Sequence, residues 1–487
     1  MNDVIVIGGG LAGLAGAVAL ADAGLKVTLY ERRTILGGRA SSFVHPAGGE
    51  LVDNCQHVLL GCCANLIDFY TRLGVENGIV FQDRVPFIDE ANRISVIQSS
   101  PLPVPIHLLP SFFRLKFLGW KDKLSVSYAM MHMIWHIRAG GQVGKRARGQ
   151  EGLKAPAPAH LPLSMQNWLK SHRATERSIE ALWRPILISA LNDELDDIDA
   201  EYGIMTIVKA FLSNRQGYQV GLPVVPLGDL YAPCIDYLEQ RGGRVILDQG
   251  ITGMAVDNTR ITRMTLQDGT TVRADAYLSA LPFDILLKML PDTEVARWDY
   301  FNNLQRLDVS PITAVHVWFD RPVMDLDYVA VLGRKIQWIF NQTIRDPDAF
   351  SSAASGTYLG LVVSASNEWM KQPQQVIIQQ ALEDLKSIFP AVQEARLLKA
   401  IVVKEGRATF APEPGCDPLR PGPVSPISNL FVAGDWTQTG WPATMESAVR
   451  SGYQSAEAML SVFDKPQKVL LPEVPVEGIM KILTGDF

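Results

Sequence analysis

The chain has 487 residues, of which 47% are apolar and 20% are charged, and its formal net charge is −6. This size and balance are typical of a globular protein of two or three packed domains. The acidic net charge argues against a nucleic-acid partner, because a nucleic-acid-binding surface is basic. No stretch approaches the ~18 consecutive apolar residues of a membrane-spanning helix, and no ligand spacing predicts a metal site.

The start of the chain and its cysteines bear on its location. The apolar run Val4–Ile7 has no basic leader before it and continues directly into a glycine loop. The cysteines form no regularly spaced or CxxC pairs, which favours a reducing compartment. They are Cys55, Cys62, Cys63, Cys234 and Cys416. We therefore expect a cytoplasmic protein, peripheral on the inner face of the cytoplasmic membrane.

The first 40 residues predict a strand, a tight turn, a helix and a second strand. Val4–Ile7 and Val27–Tyr30 are short apolar runs typical of buried parallel strands. Leu14–Ala23 is rich in Ala and Leu, which favour helix, and Gly24 is suited to end it. This order is the beginning of a doubly wound α/β sheet.

The turn between this strand and this helix matches the pattern GxGxxG. Gly8 makes the turn, Gly10 lets the backbone approach a pyrophosphate, and Gly13 lets helix and strand pack closely. Glu31, at the end of the second strand, can accept a hydrogen bond from a ribose hydroxyl, and the helix N-terminus faces the phosphates. The sequence therefore predicts a dinucleotide site. Its predicted contacts in the turn are Gly8, Gly10, Leu11, Ala12 and Gly13.

Large apolar and aromatic residues dominate from about Leu102 to Ile137, and segment 139–159 predicts a flexible basic linker. The bases within the apolar segment are Arg114, Lys116, Lys121 and Lys123. Two interpretations stay open: a surface that docks on a membrane, or a helix pair of the core. On the first interpretation we expect Phe112, Phe113 and Phe117 to face lipid.

The rest of the chain returns to mixed character. Ser164 is a plausible N-cap of a new helix, and Leu227 opens a helix expected to end at Gly242-Gly243. Further elements are expected at Val245–Leu247, Ile251–Val256, Ile261–Leu266, Val272–Leu278, Thr313–Phe319, Ile336–Ile339, Tyr358–Ser364 (strands) and Val376–Ile388 (helix). We predict a discontinuous cofactor domain (1–75, 220–290 and 425–462), a helical region (76–219), a β-sheet substrate domain (291–424) and a tail (463–487).

Two segments resemble flavin oxidoreductases of the amine oxidase and carotenoid desaturase type. One contains Gly37-Gly38-Arg39, which in that group continues along the dinucleotide toward the flavin, and the other is the apolar strand that ends in Gly434-Asp435. The resemblance implies FAD and an α/β fold of the amine oxidase/phytoene desaturase type: a Rossmann-like FAD-binding domain with a discontinuous substrate domain of mixed sheet plus helices. It implies further cofactor contacts at Arg32, Gly38, Arg39, Ala40, His57, Ile251, Gly434, Asp435, Thr444 and Met445.

Four more specific segments together resemble the squalene-associated flavoproteins called hydroxysqualene dehydroxylases, over residues 1 to about 460. They are Asp53–Gly61, Trp183–Asn192, Arg407–Phe410 and Gly434–Glu446. Cys55 stands where that family pattern has Gly. The resemblance implies that reduced FAD removes the hydroxyl of hydroxysqualene, an allylic polyisoprenoid alcohol, to give the hopanoid precursor squalene. The electron donor that reduces FAD is not identified by the sequence.

This chemistry needs a dry cavity and one proton donor. His57 and Asp53 are the candidates for placing the donor, with Glu446 as a third. The alternative for His57 is a hydrogen bond to flavin or backbone. Trp436 and Trp441 are expected to line the substrate cavity, or else to pack in the core.

Three rival interpretations remain. A carotenoid-type desaturase would transfer hydride in the opposite direction, from substrate to oxidised FAD. An amine oxidase would need a pair of tyrosines near 436–446, which the sequence does not offer. The third rival is a non-enzymatic flavoprotein that binds polyisoprenoids. A second GxGxxG is absent, so a dedicated NAD(P)H domain is not predicted.

Overall fold

The computed structural model describes residues 2–45, 49–139, 163–345 and 356–485. A parallel sheet at its centre takes its strands from both ends and the middle of the chain. Its spatial order is Arg244–Ile246, Lys26–Tyr30, Asp3–Ile7, Ala276–Ser279 and Leu430–Val432. These runs are short and apolar because both faces of the sheet are buried, one by helices Leu11–Asp22 and Met445–Val462 and the other in a core shared with strands Ile251–Asp257 and Arg260–Leu266.

The first and last long helices of this domain, Leu11–Asp22 and Met445–Val462, pack against each other. A Cβ atom on Gly452 would lie 2.3 Å from the Ala12 carbonyl oxygen and 2.8 Å from the Gly16 nitrogen. The two helices therefore touch backbone to backbone at this point. Both helices begin at the edge of the sheet where the parallel strands end.

A second, seven-stranded sheet lies in the other part of the molecule. Its order is Leu397–Phe410, Val309–Phe319, Thr357–Ser364, Trp338–Asn341, Tyr328–Val331, Arg84–Ile88 and Ile94–Gln98. Two findings differ from the sequence-based expectations. Arg84–Ile88 and Ile94–Gln98 complete this sheet, although residues 76–219 were predicted to be helical. The edge strand Leu397–Phe410 was not predicted, because Lys404, Glu405 and Gly406 interrupt its apolar pattern.

Three small sheets complete the β-structure. They pair Ile251–Asp257, Arg260–Leu266 and Thr271–Val272; Ser42–Val44 and Leu51–Asp53; and Leu59–Leu60, Val220–Pro223 and Ile79–Gln82. The predicted strand Val272–Leu278 is therefore divided between two sheets. The helix predicted from Leu227 is interrupted near Pro233, and Leu227–Tyr231 and Cys234–Glu239 take its place.

The described helices beyond these are mostly short. Ser164 is confirmed as an N-cap, since its hydroxyl accepts from the Asn167 nitrogen. The remaining helical segments are Ala64–Leu73, Glu76–Gly78, Ile106–Leu108, Leu109–Phe113, Trp120–Arg138, Met165–Ser171, Glu176–Ser178, Ile179–Trp183, Arg184–Leu191, Ala200–Ile207, Val208–Leu212, Phe283–Met289, Asp292–Arg297, Asp299–Asn302, Asn303–Arg306, Gln342–Arg345, Asn367–Met370, Gln374–Ile388, Ala391–Glu394, Asp417–Leu419 and Gly478–Thr484.

The apolar segment that follows Leu102 is only partly exposed. Phe112 and Phe117 are buried and Phe113 is exposed, so the expectation that all three face outward is wrong for two of them. Among the described residues, no helix has the length and apolar character needed to cross a bilayer. The predicted linker 139–159 lies outside the described residues from position 140 onward.

Substituting Gly452 with Ala tests the contact between the first and last helices. The added methyl group would meet the Ala12 carbonyl oxygen, so the helices must separate, and we expect a loss of about 1–3 kcal/mol of unfolding free energy. Chemical denaturation of the FAD-free protein measures it. Gly253→Ala is the matched control, because a Cβ atom there meets nothing within 4 Å. Equal stability of the two variants would contradict the contact.

Candidate functional site

The carboxyl ends of the parallel strands meet at one edge of the central sheet. Ile7 leads into the glycine turn, Tyr30 into Glu31, and Val432 into Ala433-Gly434. Such an edge is where open α/β sheets bind ligands. Segments from the beginning and the end of the chain therefore share one site.

The glycines of the turn are needed for different structural reasons. Gly8 has φ +102°, and a Cβ atom on Gly13 would lie 2.0 Å from the Gly8 oxygen. Both are required by the protein's own packing. Gly10 is different, because a Cβ atom there would meet only the Gly38 Cα at 3.9 Å. The space beside Gly10 fits a pyrophosphate, and the first amides of the helix begun by Leu11 and Ala12 lie next to it.

Glu31 is buried where the second strand ends. Its carboxylate accepts from the Gly9 nitrogen at 2.6 Å and from the Arg33 nitrogen at 2.8 Å. These two bonds fix the side chain against the glycine turn and leave lone pairs for a ribose hydroxyl.

The outer side of this site is formed by Arg32 and the neighbouring edge strand. The Glu31 nitrogen donates to the Ile246 oxygen at 2.9 Å. Arg32 is exposed and lies beside Gly250, which is the residue that precedes the buried Ile251. The implied cofactor contacts Arg32 and Ile251 therefore lie next to Glu31, the predicted ribose contact.

An ion pair joins the two halves of the site. The Arg39 guanidinium donates to the Asp435 carboxylate at 2.5 Å and to the Ala408 oxygen at 2.7 Å, and Asp435 lies 396 positions away along the chain. Gly38 lies against the glycine turn, since its Cβ would be 3.0 Å from the Gly10 Cα. The buried Ala40 donates its N–H to the Gly37 oxygen. The predicted contacts of the second and last motifs thus lie together.

Arg420 is a functional residue that sequence reasoning missed. Its fully buried guanidinium donates to the carbonyl oxygens of Asp435 at 3.1 Å, Thr437 at 2.5 Å and Trp441 at 2.8 Å. It therefore holds the irregular loop that follows Gly434. In the sequence Arg420 is an isolated base in a Pro-rich segment, and no motif marks it.

The loop held by Arg420 ends in the last helix. Thr444 caps that helix through a bond from the Ser447 nitrogen, and Met445 is its first residue. A helix N-terminus stabilises negative charge. This fits the role that the resemblance implies for Thr444 and Met445, at the flavin pyrimidine edge.

Glu446 caps a helix, which is a structural role and the alternative to its role as a third candidate for the proton donor. Its carboxylate accepts from the Asn65 nitrogen at 3.2 Å, from Asn65 Nδ2 at 2.9 Å and from the Leu66 nitrogen at 2.8 Å. These groups belong to the first turn of helix Ala64–Leu73, whose own N-cap Cys63 makes no side-chain capping bond. Burial raises the pKa of Glu446, and the nearby Arg450 opposes the shift. The contacts are those of a structural residue.

Trp436 and Trp441 also have packing contacts rather than cavity contacts. The Trp436 indole donates to the Leu281 oxygen at 3.1 Å, and the side chain is buried. The Trp441 indole donates to Glu473 at 2.9 Å, and the Lys209 ammonium lies 5.0 Å from its ring centre. A carboxylate and a cation against Trp441 do not make an apolar cavity, so the expectation for this residue is corrected.

Asp53 and His57 are brought close to Arg39 by the polar residues between them. Asn54 Nδ2 donates to the Arg39 oxygen at 3.0 Å, and Gln56 accepts from Gln342 of the second sheet's connection at 2.5 Å. Asp53 itself is buried and accepts from Ser42 Oγ at 2.7 Å. This element therefore connects the cofactor edge to the second sheet.

His57 has a defined tautomer. Its Nδ1 lies 2.8 Å from the Cys55 carbonyl oxygen, which only accepts, so Nδ1 carries the hydrogen. Burial lowers the pKa of His57 below its ordinary value of 6.5, and the charge on Arg39 acts in the same direction. The lowered pKa favours the neutral imidazole, in which Nε2 carries the lone pair. Cys55 is buried, and burial raises the pKa of its thiol to about 12.

Two other segments of the specific resemblance meet through Asn192. Its Nδ2 donates to Thr409 Oγ1 at 2.9 Å and to the Ser310 oxygen at 3.1 Å. Its Oδ1 accepts from the Ala365 nitrogen at 2.9 Å. Asn192 thus connects the end of helix Arg184–Leu191 to strands Val309–Phe319 and Leu397–Phe410 and to the residue that follows strand Thr357–Ser364.

The site and fold define a flavin-dependent oxidoreductase, and comparison with known proteins identifies its family. The sequence profile described as flavin containing amine oxidoreductase matches residues 11–460. The chain belongs to this family. FAD is therefore its cofactor, and the glycine turn, Glu31, Arg39 and Asp435 are the residues that fit FAD.

The similarity to individual relatives extends over nearly the whole chain. The zeta-carotene desaturase of Synechocystis is 27% identical over 485 residues, covering 94% of this chain and 97% of the relative. The 15-cis-phytoene desaturase of Synechococcus elongatus is 27% identical over 487 residues, covering 96% and 97%.

Solved structures share the fold. An oxidoreductase from Methanosarcina mazei is similar with a TM-score of 0.69 and 19% identity, covering 95% of this chain and 100% of that one. The cyclohexylamine oxidase from Brevibacterium oxydans is similar with a TM-score of 0.67 and 16% identity, covering 95% and 99%.

Substituting Gly10 with Val tests the pyrophosphate position. The protein leaves room for this side chain, but the side chain would occupy the space assigned to the pyrophosphate. We expect purified Gly10→Val to lose FAD absorbance while its circular dichroism matches that of FAD-free wild type. Gly253→Val, at an open strand position, is expected to keep full FAD content. Normal FAD content in Gly10→Val would show that the turn does not hold the pyrophosphate.

Proposed function

We propose that this protein catalyses FAD-dependent hydride transfer to or from a long polyisoprenoid. The support is the likeness to zeta-carotene and phytoene desaturases across 94% or more of the chain. When bound, FAD supplies a hydride acceptor or donor at its N5 atom. The protein contributes a fixed cofactor edge and a neutral imidazole beside Arg39.

The relatives favour desaturation as the direction of transfer. Desaturation removes a hydride and a proton from adjacent carbons, so the protein must accept a proton. The neutral His57 has the lone pair that this step needs on Nε2. We propose His57 as this base, held in its tautomer by the Cys55 carbonyl.

The second candidate direction is reductive dehydroxylation of hydroxysqualene to squalene. It is favoured by the segments Asp53–Gly61 and Gly434–Glu446, which resemble hydroxysqualene dehydroxylases. Here a proton goes to the substrate oxygen, water leaves, and hydride takes its place on carbon. His57 could donate that proton only at a pH near or below its lowered pKa.

Product analysis separates the two directions. Oxidised enzyme is mixed anaerobically with phytoene, and photoreduced enzyme with hydroxysqualene in D2O. We expect the first mixture to bleach the flavin and yield a more unsaturated polyene. Squalene carrying one deuterium from the second mixture would instead assign dehydroxylation. If neither mixture forms product, hydride transfer on a polyisoprenoid is wrong and a binding protein is favoured.

The pH profile of His57→Ala tests the proton step. A base acts only when deprotonated, so wild-type turnover should fall as pH drops through the His57 pKa, which lies below 6.5. A donor would give the opposite slope. The variant is expected to retain FAD and lose turnover by roughly 10²–10⁴-fold, with this pH limb removed. Unchanged turnover with an unchanged profile would leave His57 as a structural residue.

A further inference from the structure

A row of large apolar side chains faces solvent along helix Trp120–Arg138. Trp120 is 72% exposed, Leu124 64% and Trp135 62%, and Tyr128 and Met131 are also exposed. Their spacing of four, four, three and four positions places them on one side of the helix. We call this row, together with Ile482, the apolar face.

The opposite side of the same helix is also apolar, but it is packed. Val126, Ala129, Met133 and Ile137 are buried in the core. The buried side is thus enough to pack this helix against the core. A surface helix ordinarily carries polar residues on its outer side, so core packing does not explain the exposed row.

The apolar face continues onto neighbouring elements. The short helix Gly478–Thr484 packs beside the long one, and its Ile482 is 82% exposed. The exposed Phe113 lies with its ring centre 5.7 Å from that of Trp120. Exposed side chains from three elements therefore form one patch, larger than a scatter of single residues.

The exposed charged residues from Arg114 to Arg138 are all positive. The exposed bases of these elements are Arg114, Lys116, Lys121, Arg138 and Lys481. The acid between Leu102 and Arg138 is Asp122, and its carboxylate accepts from the Gly119 nitrogen at 2.9 Å and Thr175 Oγ1 at 2.6 Å. This local charge is opposite in sign to the net charge of −6.

We propose that the apolar face docks on the surface of an anionic phospholipid bilayer, with its bases at the level of the headgroups. Indole rings suit the boundary between acyl chains and headgroups, since each has an apolar body and one N–H donor. Surrounding bases are attracted to anionic lipid and extend their charged ends to it. A second copy of the chain fits less well, because a symmetric contact would bring two basic rims together. The proposal stands on this surface and does not depend on the reaction.

Flotation of the full-length holoenzyme tests the proposal. Vesicles of phosphatidylcholine with phosphatidylglycerol are compared with vesicles of phosphatidylcholine alone. We expect the wild type to float with the anionic vesicles, and to bind them more weakly at high salt. Combining Trp120→Ser, Leu124→Ser and Trp135→Ser should lower the partition coefficient by about tenfold for each side chain. The FAD spectrum should not change, because all three side chains are exposed.

The matched control removes the same number of exposed apolar side chains elsewhere. Leu398→Ser, Val424→Ser and Val462→Ser change residues on other elements and should leave flotation intact. The proposal is overturned if the wild type does not float, or if both triple variants float equally. It is also overturned if the apolar-face variant changes only the oligomeric state in gel filtration. Turnover with detergent-dispersed substrate is expected to survive in that variant, which separates this result from the test of the reaction.

Discussion

The close crossing of helices Leu11–Asp22 and Met445–Val462 is the constraint on which the cofactor site depends. The helices approach until Gly452 touches the Ala12 carbonyl, which no residue with a Cβ allows without a shift. Both helices start at the same edge of the sheet, so their crossing fixes the separation of two helix N-termini. One borders the pyrophosphate position beside Gly10, and the other carries Thr444 and Met445. Two ends of the chain thereby form one binding edge.

Two arginines, the half-buried Arg39 and the fully buried Arg420, extend this constraint into segments that have no regular structure. Arg39 fixes the segment after the second strand to Asp435, and Arg420 holds the carbonyls of the following loop. A buried guanidinium is tolerated only when its donors are satisfied, and here backbone oxygens satisfy several of them. Removing Arg420 would take one hydrogen bond from each of those buried carbonyls, so the loop depends on it. Rigidity at the flavin side therefore comes from long-range hydrogen bonds, whereas at the phosphate side it comes from glycine conformation.

This difference explains which parts of the site could be predicted from the sequence. Gly8, Gly13 and Glu31 were predictable because a turn of fixed backbone shape needs those residue types at that spacing. The role of Glu446 was not predictable, because Asn65, in the helix that it caps, lies 381 positions earlier in the chain. The same holds for Trp441, whose partner Glu473 belongs to the predicted tail. The hydrophobic periodicity also could not predict that Phe113 is exposed beside the buried Phe112, because the helix Leu109–Phe113 is too short to define a face.

The protonation states at the cofactor edge bear on the proposed direction of hydride transfer. Asp53 accepts a hydrogen bond from Ser42 Oγ, and Glu446 accepts from the Asn65 and Leu66 nitrogens of the helix that it caps. His57 gives its one neutral-form hydrogen to the Cys55 carbonyl, and its pKa is lowered by burial. Of the candidates for placing a proton donor, Glu446 is thus engaged in capping a helix, and the Nδ1 hydrogen of His57 is engaged with the Cys55 carbonyl. A reaction that delivers a proton to the protein is better matched to this arrangement than one that takes a proton from it. That match favours desaturation over dehydroxylation as the proposed reaction, and it rests on the hydrogen bond and the lowered pKa of His57 rather than on the names of the relatives.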